Sequence, residues 1–228
     1  MRSRKRRSPT TMPGKIPHDP ITQRLVHITY RLLGSIPKAV EEQLKLRRDK
    51  ALSEMEVEIM SLPKEHRAQA RHQRKFLISG KYELALDDAI HQAVIDNPMF
   101  LAQEGVAEII INSWFFLQES GIYIYAICVM SNHVHLVVRA LDEAVEVPIG
   151  QLIGRHKSFT AHKINGLFKR EEQGVWNRTY FDRRVRTGRF SAVIWYVLNN
   201  PVKAGLVDDW RDWPGTYLNA DFDELFQN

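Results

Sequence analysis

The chain has 228 residues, 44% of them hydrophobic and 26% charged, which provides enough apolar surface for one large globular domain or two small ones. Its single cysteine, Cys128, excludes a disulfide framework and a cysteine-based zinc site, and the lack of any uncharged apolar run of about 18 residues excludes a membrane-spanning helix. The formal net charge is +5, and positive residues cluster at 2–7 and 155–189. This clustering favours a polyanion such as nucleic acid as a partner, although a basic run can also be a merely solvated surface.

The sequence predicts a mixture of strands and helices. Residues 1–20 are basic and contain several prolines, so we expect a disordered tail followed by one domain over residues 21–228. Apolar spacing and residue type then predict a strand at 24–33, helices at 37–60, 64–90 and 98–118, strands at 122–130 and 133–139, a helix at 146–168, a short strand or loop at 180–186, a helix at 188–199 and an acidic C-terminal tail. This order predicts an α+β domain with a helical segment, about 37–90, between its first two strands.

Two histidines, His133 and His135, flank Val134 in the second strand of a predicted hairpin. Side chains alternate along a strand, so both imidazoles lie on one face while Val134 points to the other. Two imidazoles on one rigid face can chelate one divalent ion, which makes the pair a candidate metal site. The alternative is that polar residues simply occupy the open face of an alternating strand.

A phenol and an amide, Tyr196 and Asn200, lie one helical turn apart near the end of the last predicted helix. At about 100° per residue they are neighbours on the border of the face that carries Ile194 and Val197. From there they could face the histidine pair. Alternatively, Tyr196 is an amphipathic rim residue, and Asn200 with Pro201 only ends the helix.

A third group of candidates is basic and aromatic and lies between residues 155 and 186. Arginine forks bind phosphates, and aromatic rings stack on unpaired bases. The candidate DNA-binding residues are Arg155, Lys157, Trp176, Arg178, Arg183, Arg184 and Arg186. A surface loop with internal ion pairs explains this segment equally well when it is considered alone.

The order of these motifs is more specific than any one of them. Over about 122–218 the motifs follow in the order MSNHVHLVV, RHKSFTAHKIN, WNRTYFDRRVR and YVLNNPVKAGLV. This order resembles that of the REP-associated tyrosine transposases, which are single-tyrosine nucleases of the HUH class. The opening HITYRLLGSIP also resembles the first strand of this family. Ser131 departs from the pattern, because the family usually has proline there.

The resemblance implies a fold and an active site. The fold would be α+β, with a ferredoxin-like antiparallel sheet that carries the histidine pair and packs against helices. Tyr196 matches the nucleophile that joins a 5′ phosphate of single-stranded DNA, with Tyr180 as second candidate. His133 and His135 match the metal-binding pair, and Asn200 matches the residue that completes the site. With three neutral ligands and no carboxylate, we expect Mg²⁺ or Mn²⁺ to bind weakly without DNA.

The implied function is that of a transposase: a metal-dependent single-strand DNA endonuclease and strand transferase that acts on hairpin-forming palindromic DNA. The resemblance further implies a cytoplasmic, nucleoid-associated monomer or homodimer that does not contact membranes. Two alternatives stay open. One is a catalytically idle module that binds single-stranded or hairpin DNA on the same scaffold, and the other is a replication or mobilisation relaxase of the same nuclease class. No motif assigns a role to residues 37–80.

Overall fold

The computed structural model describes residues 20–92, 99–103, 105–144, 146–171 and 173–227. The predicted disordered tail therefore lies outside the described residues, apart from Pro20. In chain order the elements are β1 (Val26–Arg31), α1 (Lys38–Met60), α2 (Lys64–His91), α3 (Val106–Leu117), β2 (Ile122–Val129), β3 (His133–Ala140), α4 (Ile149–Leu167), β4 (Phe181–Arg184), α5 (Phe190–Leu198), α6 (Asn200–Lys203) and β5 (Thr216–Leu218). Within these ranges, no helix combines the length and the apolar character needed to cross a membrane.

The five strands form one antiparallel sheet in the order β4-β1-β3-β2-β5. Leaving α1 and α2 aside, the connectivity β1-α3-β2-β3-α4-β4 is that of a ferredoxin-like fold, with β1 and β3 at the centre of the sheet. The predicted α+β class, the antiparallel sheet and the helical segment between the first two strands are therefore confirmed.

Alternation along the two central strands separates the two faces of the sheet. Ile28 and Tyr30 of β1 pair with Leu136 and Val134 of β3, and all four are buried in the core that α3 and α4 cover. The residues between them point to the opposite face, where α5 packs and a second apolar cluster forms around Val137. This opposite face is the one that carries the histidines.

Helices α1 and α2 form an inserted hairpin, residues 38–91, whose turn lies at Pro63 as predicted. The guanidinium of Arg31, at the end of β1, is buried and forms an ion pair with Glu41 of α1 at 2.7 Å. At the other end of the insertion, Leu86 and Ile90 of α2 are almost fully buried. The hairpin is therefore fixed to the sheet at both ends, and α2 lies over the face that carries the histidines.

Two predictions about the elements are wrong. The helix expected at 98–118 begins only at Val106, because Gly105 adopts a left-handed φ of 76° that a helix cannot continue through. The C-terminal residues are not a tail: Thr216–Leu218 pair with β2 as the edge strand, and Phe226 is fully buried. The acidic side chains that suggested a tail lie on the outside of this segment, while its aromatic side chains pack inward.

Candidate metal and tyrosine centre

The candidate centre lies on the sheet face opposite α3 and α4. Thr29 of β1 is paired with His135 of β3, and Arg31 is paired with His133, so the polar residues of the two central strands are neighbours. Both histidines of β3 are buried, with 1% and 0% of their surface exposed. The predicted shared face of His133 and His135 follows directly from this register.

The two imidazoles face each other through their Nε2 atoms, which lie 3.0 Å apart. The Nδ1 of His133 lies 2.7 Å from the Asn132 side-chain oxygen, and the Asn132 amide nitrogen donates to the Ile90 carbonyl at 3.2 Å. Because that oxygen can only accept, Nδ1 of His133 donates and its Nε2 keeps a lone pair. The two Nε2 atoms can therefore share one proton, or a metal ion in its place.

A carboxylate from the inserted hairpin completes this group. Oδ1 of Asp87, in α2, lies 3.7 Å from the Nε2 of His135 and 4.0 Å from that of His133. This oxygen is buried and has no hydrogen-bond partner among the described residues. A buried carboxylate oxygen that faces two imidazole nitrogens suits a cation, so Asp87, His133 and His135 could together hold a metal ion.

The second carboxylate oxygen of Asp87 binds the candidate nucleophile. The Tyr196 hydroxyl, carried by α5, donates a hydrogen bond to Oδ2 of Asp87. The Tyr196 ring also meets the rings of His135 and His27 edge to face, with centroids 5.7 and 5.8 Å apart. Burial and the neighbouring negative charge of Asp87 raise the pKa of the Tyr196 phenol above its usual value, so the resting hydroxyl is neutral. Tyr196 and the two histidines are thus joined through Asp87.

A third histidine supports the pair from β1. Nε2 of His27 lies 3.1 Å from Nδ1 of His135, and the two rings stack with centroids 5.2 Å apart. Oγ1 of Thr29 lies 3.2 Å from the same nitrogen. Burial, together with the nearby His135, lowers the pKa of His27 to about 3, so this ring is neutral and positions His135 without adding charge.

Sequence reasoning did not find Asp87 or His27. His27 alternates with Thr29 and Arg31 on the polar face of β1, and that alternation is the signal that could have identified it. Asp87 gives no such signal, because it lies in an ordinary helical sequence, LALDDAIH, far from the other residues along the chain. The sequence predicted three neutral ligands, and the structure places the Asp87 carboxylate beside two of them, His133 and His135.

Asn200 is the predicted ligand with the least direct connection to the centre. It is completely buried rather than at the border of the helix face. Its amide nitrogen donates to the carbonyl oxygen of Tyr196 at 2.7 Å, one turn earlier, and so fixes the junction between α5 and α6. Its role as a metal ligand stays a prediction.

Three of the predicted DNA-binding residues lie in or next to β4, which is an edge strand of the sheet. Arg183, Arg184 and Arg186 line a cleft of about 500 Å³ that also contains Tyr196 and Asp87. Cations placed there can meet a phosphate chain that approaches the candidate centre. Their role in binding DNA stays a prediction.

The other four predicted DNA-binding residues are dispersed. Arg155 and Arg178 are exposed. The Lys157 ammonium donates to the backbone oxygens of residues 177 and 179, at 2.8 and 3.0 Å, and so supports a loop. Trp176 is only 8% exposed, and its indole nitrogen donates to the Thr160 hydroxyl, which is the position of a core residue rather than of a platform for bases. We therefore leave Trp176 out of the proposed DNA surface.

Comparison with known proteins relates this centre to a family. Residues 100–200 match the family model described as "Transposase IS200 like". This region is therefore similar in sequence to IS200-like transposases. The matched region includes the histidine pair, Tyr196 and Asn200, so the predicted family resemblance is confirmed. Asp87 and His27 lie outside the matched residues.

One curated relative of the chain is a Haemophilus influenzae protein with the provisional name REP-associated tyrosine transposase. The two are 28% identical over 103 residues, which are 42% of this chain and 58% of the relative. The chain thus spans less than two thirds of the length of that relative.

Two solved structures also align with the chain. One is described as a REP-associated tyrosine transposase bound to a REP hairpin, with a TM-score of 0.48 and 16% identity over 94% of this chain and 87% of the other. The second is a Deinococcus radiodurans protein provisionally named a transposase, with a TM-score of 0.38 and 13% identity over 83% of this chain and 96% of the other.

Proposed function

We propose that the protein is a metal-dependent single-strand DNA endonuclease and strand transferase that works through a covalent 5′-phosphotyrosine at Tyr196. The observation that carries the proposal is the convergence of the Tyr196 hydroxyl, the Asp87 carboxylate and the His133–His135 pair. The match of residues 100–200 to IS200-like transposases supports the same assignment. Because Tyr196 contacts histidines of its own chain, the arrangement favours a site formed within one chain, in either a monomer or a homodimer.

In this mechanism the Tyr196 oxygen attacks the phosphorus of a DNA phosphodiester. A bond forms between Tyr196 Oη and phosphorus, the bond from phosphorus to the 3′ oxygen breaks, and the strand leaves as a 3′-hydroxyl. The phenol must lose its proton, and Oδ2 of Asp87, which already accepts its hydrogen bond, is placed to take it. Strand transfer is the reverse reaction with a different 3′-hydroxyl, and it uses the energy kept in the phosphotyrosine bond.

Asp87, His133 and His135 would hold the metal, with Asn200 as a further candidate. A bound divalent ion neutralises phosphate charge and fixes the phosphate for attack. We propose Mg²⁺ or Mn²⁺, with Mn²⁺ more active because imidazole suits softer ions than Mg²⁺. Since one ligand is a carboxylate, we expect measurable metal binding in the absence of DNA. His27 orients His135, and Asn132 orients His133.

We propose palindromic DNA that folds into hairpins as the substrate. The Haemophilus influenzae relative is named as REP-associated, and members of the family that the motifs resemble are expected to recognise short palindromic DNA. The arginines near β4 provide the positive charge that a single strand would need next to Tyr196.

Incubation with hairpin-containing single-stranded DNA and Mn²⁺, followed by denaturing electrophoresis, tests the proposal. The wild-type protein should form a covalent adduct, and Tyr196→Phe should abolish it while leaving DNA binding intact. Tyr180→Phe is the matched control, because Tyr180 is also buried and phenolic but lies outside the centre. An adduct that survives Tyr196→Phe and disappears with Tyr180→Phe would overturn the assignment. Hairpin binding without any adduct would identify the idle binding module instead.

A further inference from the structure

The inserted hairpin forms one wall of the cleft that leads to Tyr196. The cleft, about 500 Å³ in volume, lies between α2 on one side and β4, the loop after it and the start of α5 on the other. Phe76 of α2 and Arg186 of the opposite wall meet across it, with the guanidinium carbon 4.9 Å from the ring centre. The volume falls in the range of pockets that hold one small ligand, and it is too small for a base-paired duplex.

The charge of the cleft is that of an anion site. Five cationic and two acidic side chains line it. The cations are Lys81, Arg183, Arg184, Arg186 and Arg189, and the acids are Glu83 and Asp87. Arg184 belongs to β4, Arg186 to the loop after it and Arg189 directly precedes α5, so these three cations lie on the wall opposite α2.

The lining between these charges is apolar and aromatic. Phe76, Phe181 and Tyr196 provide three aromatic rings, and Val193 and Leu84 add aliphatic surface. Positive charge interleaved with aromatic rings is the composition by which proteins hold unpaired nucleotides: arginine or lysine binds the phosphate, and a ring stacks on the base.

The space in the cleft depends on a glycine in the middle of α2. Gly80 lies within a helix of 28 residues, where glycine is less favourable than alanine. A Cβ atom at this position would lie 3.7 Å from a terminal nitrogen of Arg183, and any longer side chain would extend into the cleft. The absence of a side chain therefore keeps the cleft open.

We propose that this cleft binds one unpaired nucleotide of the DNA strand next to the phosphate that Tyr196 attacks, and that α2 of the inserted hairpin is the wall that holds its base. The proposal rests on the proposed function for the identity of the strand. Part of the segment 37–80, to which no sequence motif assigns a role, would then contribute to DNA binding. The cationic side chains that line the cleft bind the phosphate of this nucleotide, and the aromatic rings stack on its base.

The test measures binding alone, so that it is independent of cleavage. Fluorescence anisotropy in EDTA would compare a short oligothymidylate with a blunt hairpin duplex, for wild type, Gly80→Leu and Gly166→Leu. Gly166 is the matched control, because it also lies in a helix and a Cβ there meets nothing within 4 Å. Gly80→Leu should weaken oligothymidylate binding about tenfold and leave duplex binding unchanged, since the stacked base is lost. Gly166→Leu should change neither.

Equal oligothymidylate affinity for Gly80→Leu and Gly166→Leu would overturn the proposal, as would a wild-type protein that does not bind the single strand. If Gly80→Leu fails to fold by circular dichroism, Lys81→Gln against Lys75→Gln provides the same comparison, since both lysines are exposed on α2 but only Lys81 lines the cleft. Lys81→Gln should then bind oligothymidylate more weakly than Lys75→Gln. A missing adduct in the Tyr196 assay would count against the proposed function and leave the cleft result unaffected.

Discussion

At the scale of single residues, Asp87 connects the parts of the candidate centre. One carboxylate oxygen faces the two imidazoles, and the other accepts the hydrogen bond of Tyr196. A single side chain thus contacts both the proposed metal ligands and the proposed nucleophile. Asp87 is thus proposed both to bind the metal and to accept the proton of Tyr196. A substitution of Asp87 can test these two roles independently of DNA binding.

Asp87→Asn keeps the size of the side chain and removes its charge. We expect Mn²⁺ affinity without DNA to fall about tenfold or more, because the one negative ligand is lost and two neutral imidazoles remain. Isothermal titration with Mn²⁺ measures the effect. Asp88→Asn, one residue along α2 and exposed, is the control and should bind Mn²⁺ like the wild type. Unchanged Mn²⁺ affinity in Asp87→Asn would show that this carboxylate is not a ligand.

Another buried histidine, His156, lies on the other side of the sheet. Its Nε2 lies 2.7 Å from the Tyr30 hydroxyl, its Nδ1 lies 3.0 Å from the Ser113 hydroxyl, and its ring stacks on Trp114 with centroids 4.4 Å apart. Burial lowers the pKa of His156 from 6.5 to about 3. The folded protein therefore holds this ring neutral in mildly acidic solution, whereas the unfolded chain protonates it.

Stability should fall as the pH drops from about 6.5 towards 3, because in this window the unfolded state binds the proton and the folded state does not. His156 contributes about 1.4 kcal/mol per pH unit to this slope. His156→Gln should lower the free energy of unfolding at pH 7 but flatten its decline in acid, as measured by urea unfolding across the window. His162→Gln, exposed on the same helix, should keep the wild-type slope. Parallel wild-type and His156→Gln curves would contradict the assignment.

Some residues of the candidate centre could be predicted from the sequence and others could not. His133 and His135 could be predicted because the period of a strand puts alternate residues on one face, which is a local rule. Tyr196 could be predicted because the motifs around it follow a known order. Asp87 could not, because only the docking of α2 on the sheet brings it to the histidines, and no local pattern encodes that docking.

At the scale of elements, α5 is held between the sheet and the C-terminal segment. Phe226, fully buried, meets the ring of Trp195 at 5.4 Å and the ring of Phe190 at 6.3 Å between centroids. Both partners belong to α5, the helix that carries Tyr196. The last turn of the chain therefore stabilises the position of the proposed nucleophile.

Phe226→Ala should lower the free energy of unfolding by about 3 kcal/mol, because it leaves a cavity beneath α5. Chemical denaturation measures the loss, and the rate of adduct formation should fall with it because Tyr196 is less firmly placed. Leu225→Ala is the control: Leu225 is 64% exposed, and its loss should cost no more than about 0.5 kcal/mol. If the two variants were equally stable, the C-terminal segment would not support α5.

Most helices and strands could be predicted where the hydrophobic pattern extends over many residues. The break between α1 and α2 at Pro63 could be predicted because proline disrupts a helix interior. The β2–β3 hairpin could be predicted because its strands are rich in β-branched residues. The C-terminal strand was missed because Thr216–Leu218 is too short for a periodic signal and its pairing with β2 is non-local. Composition alone made this segment look like a solvated tail.

At the scale of the whole molecule, the arginines beside Tyr196 should make DNA binding sensitive to salt. Each phosphate neutralised by a cation releases counterions, so affinity falls as salt rises. The cations that line the cleft lie on the same side of the sheet as the candidate centre. Binding and chemistry are therefore expected on one face of the molecule.

Replacing Arg183, Arg184 and Arg186 by Ala should weaken hairpin binding and reduce the slope of log affinity against log salt by about 2 to 3, one phosphate contact for each arginine. Binding titrations at several salt concentrations in EDTA, which should stop cleavage but not binding, measure the slope. The control is the combined replacement of Lys38, Lys50 and Lys64 by Ala. It removes the same amount of positive charge from exposed positions outside the cleft, so it should change the slope less. A slope unchanged by the arginine substitutions would mean that they do not contact phosphate.

The pairing of β1 with β4 joins Val26–Thr29 near the start of the chain to Phe181–Arg184 near its end. During synthesis, the outer edge of β1 therefore stays open until the chain has been made as far as Arg184, and contacts between such distant residues form slowly. Tyr196 emerges from the ribosome later still than β4. A chain that stops short of Tyr196 thus lacks the proposed nucleophile, and one that stops short of Phe181 also leaves the outer edge of β1 unpaired.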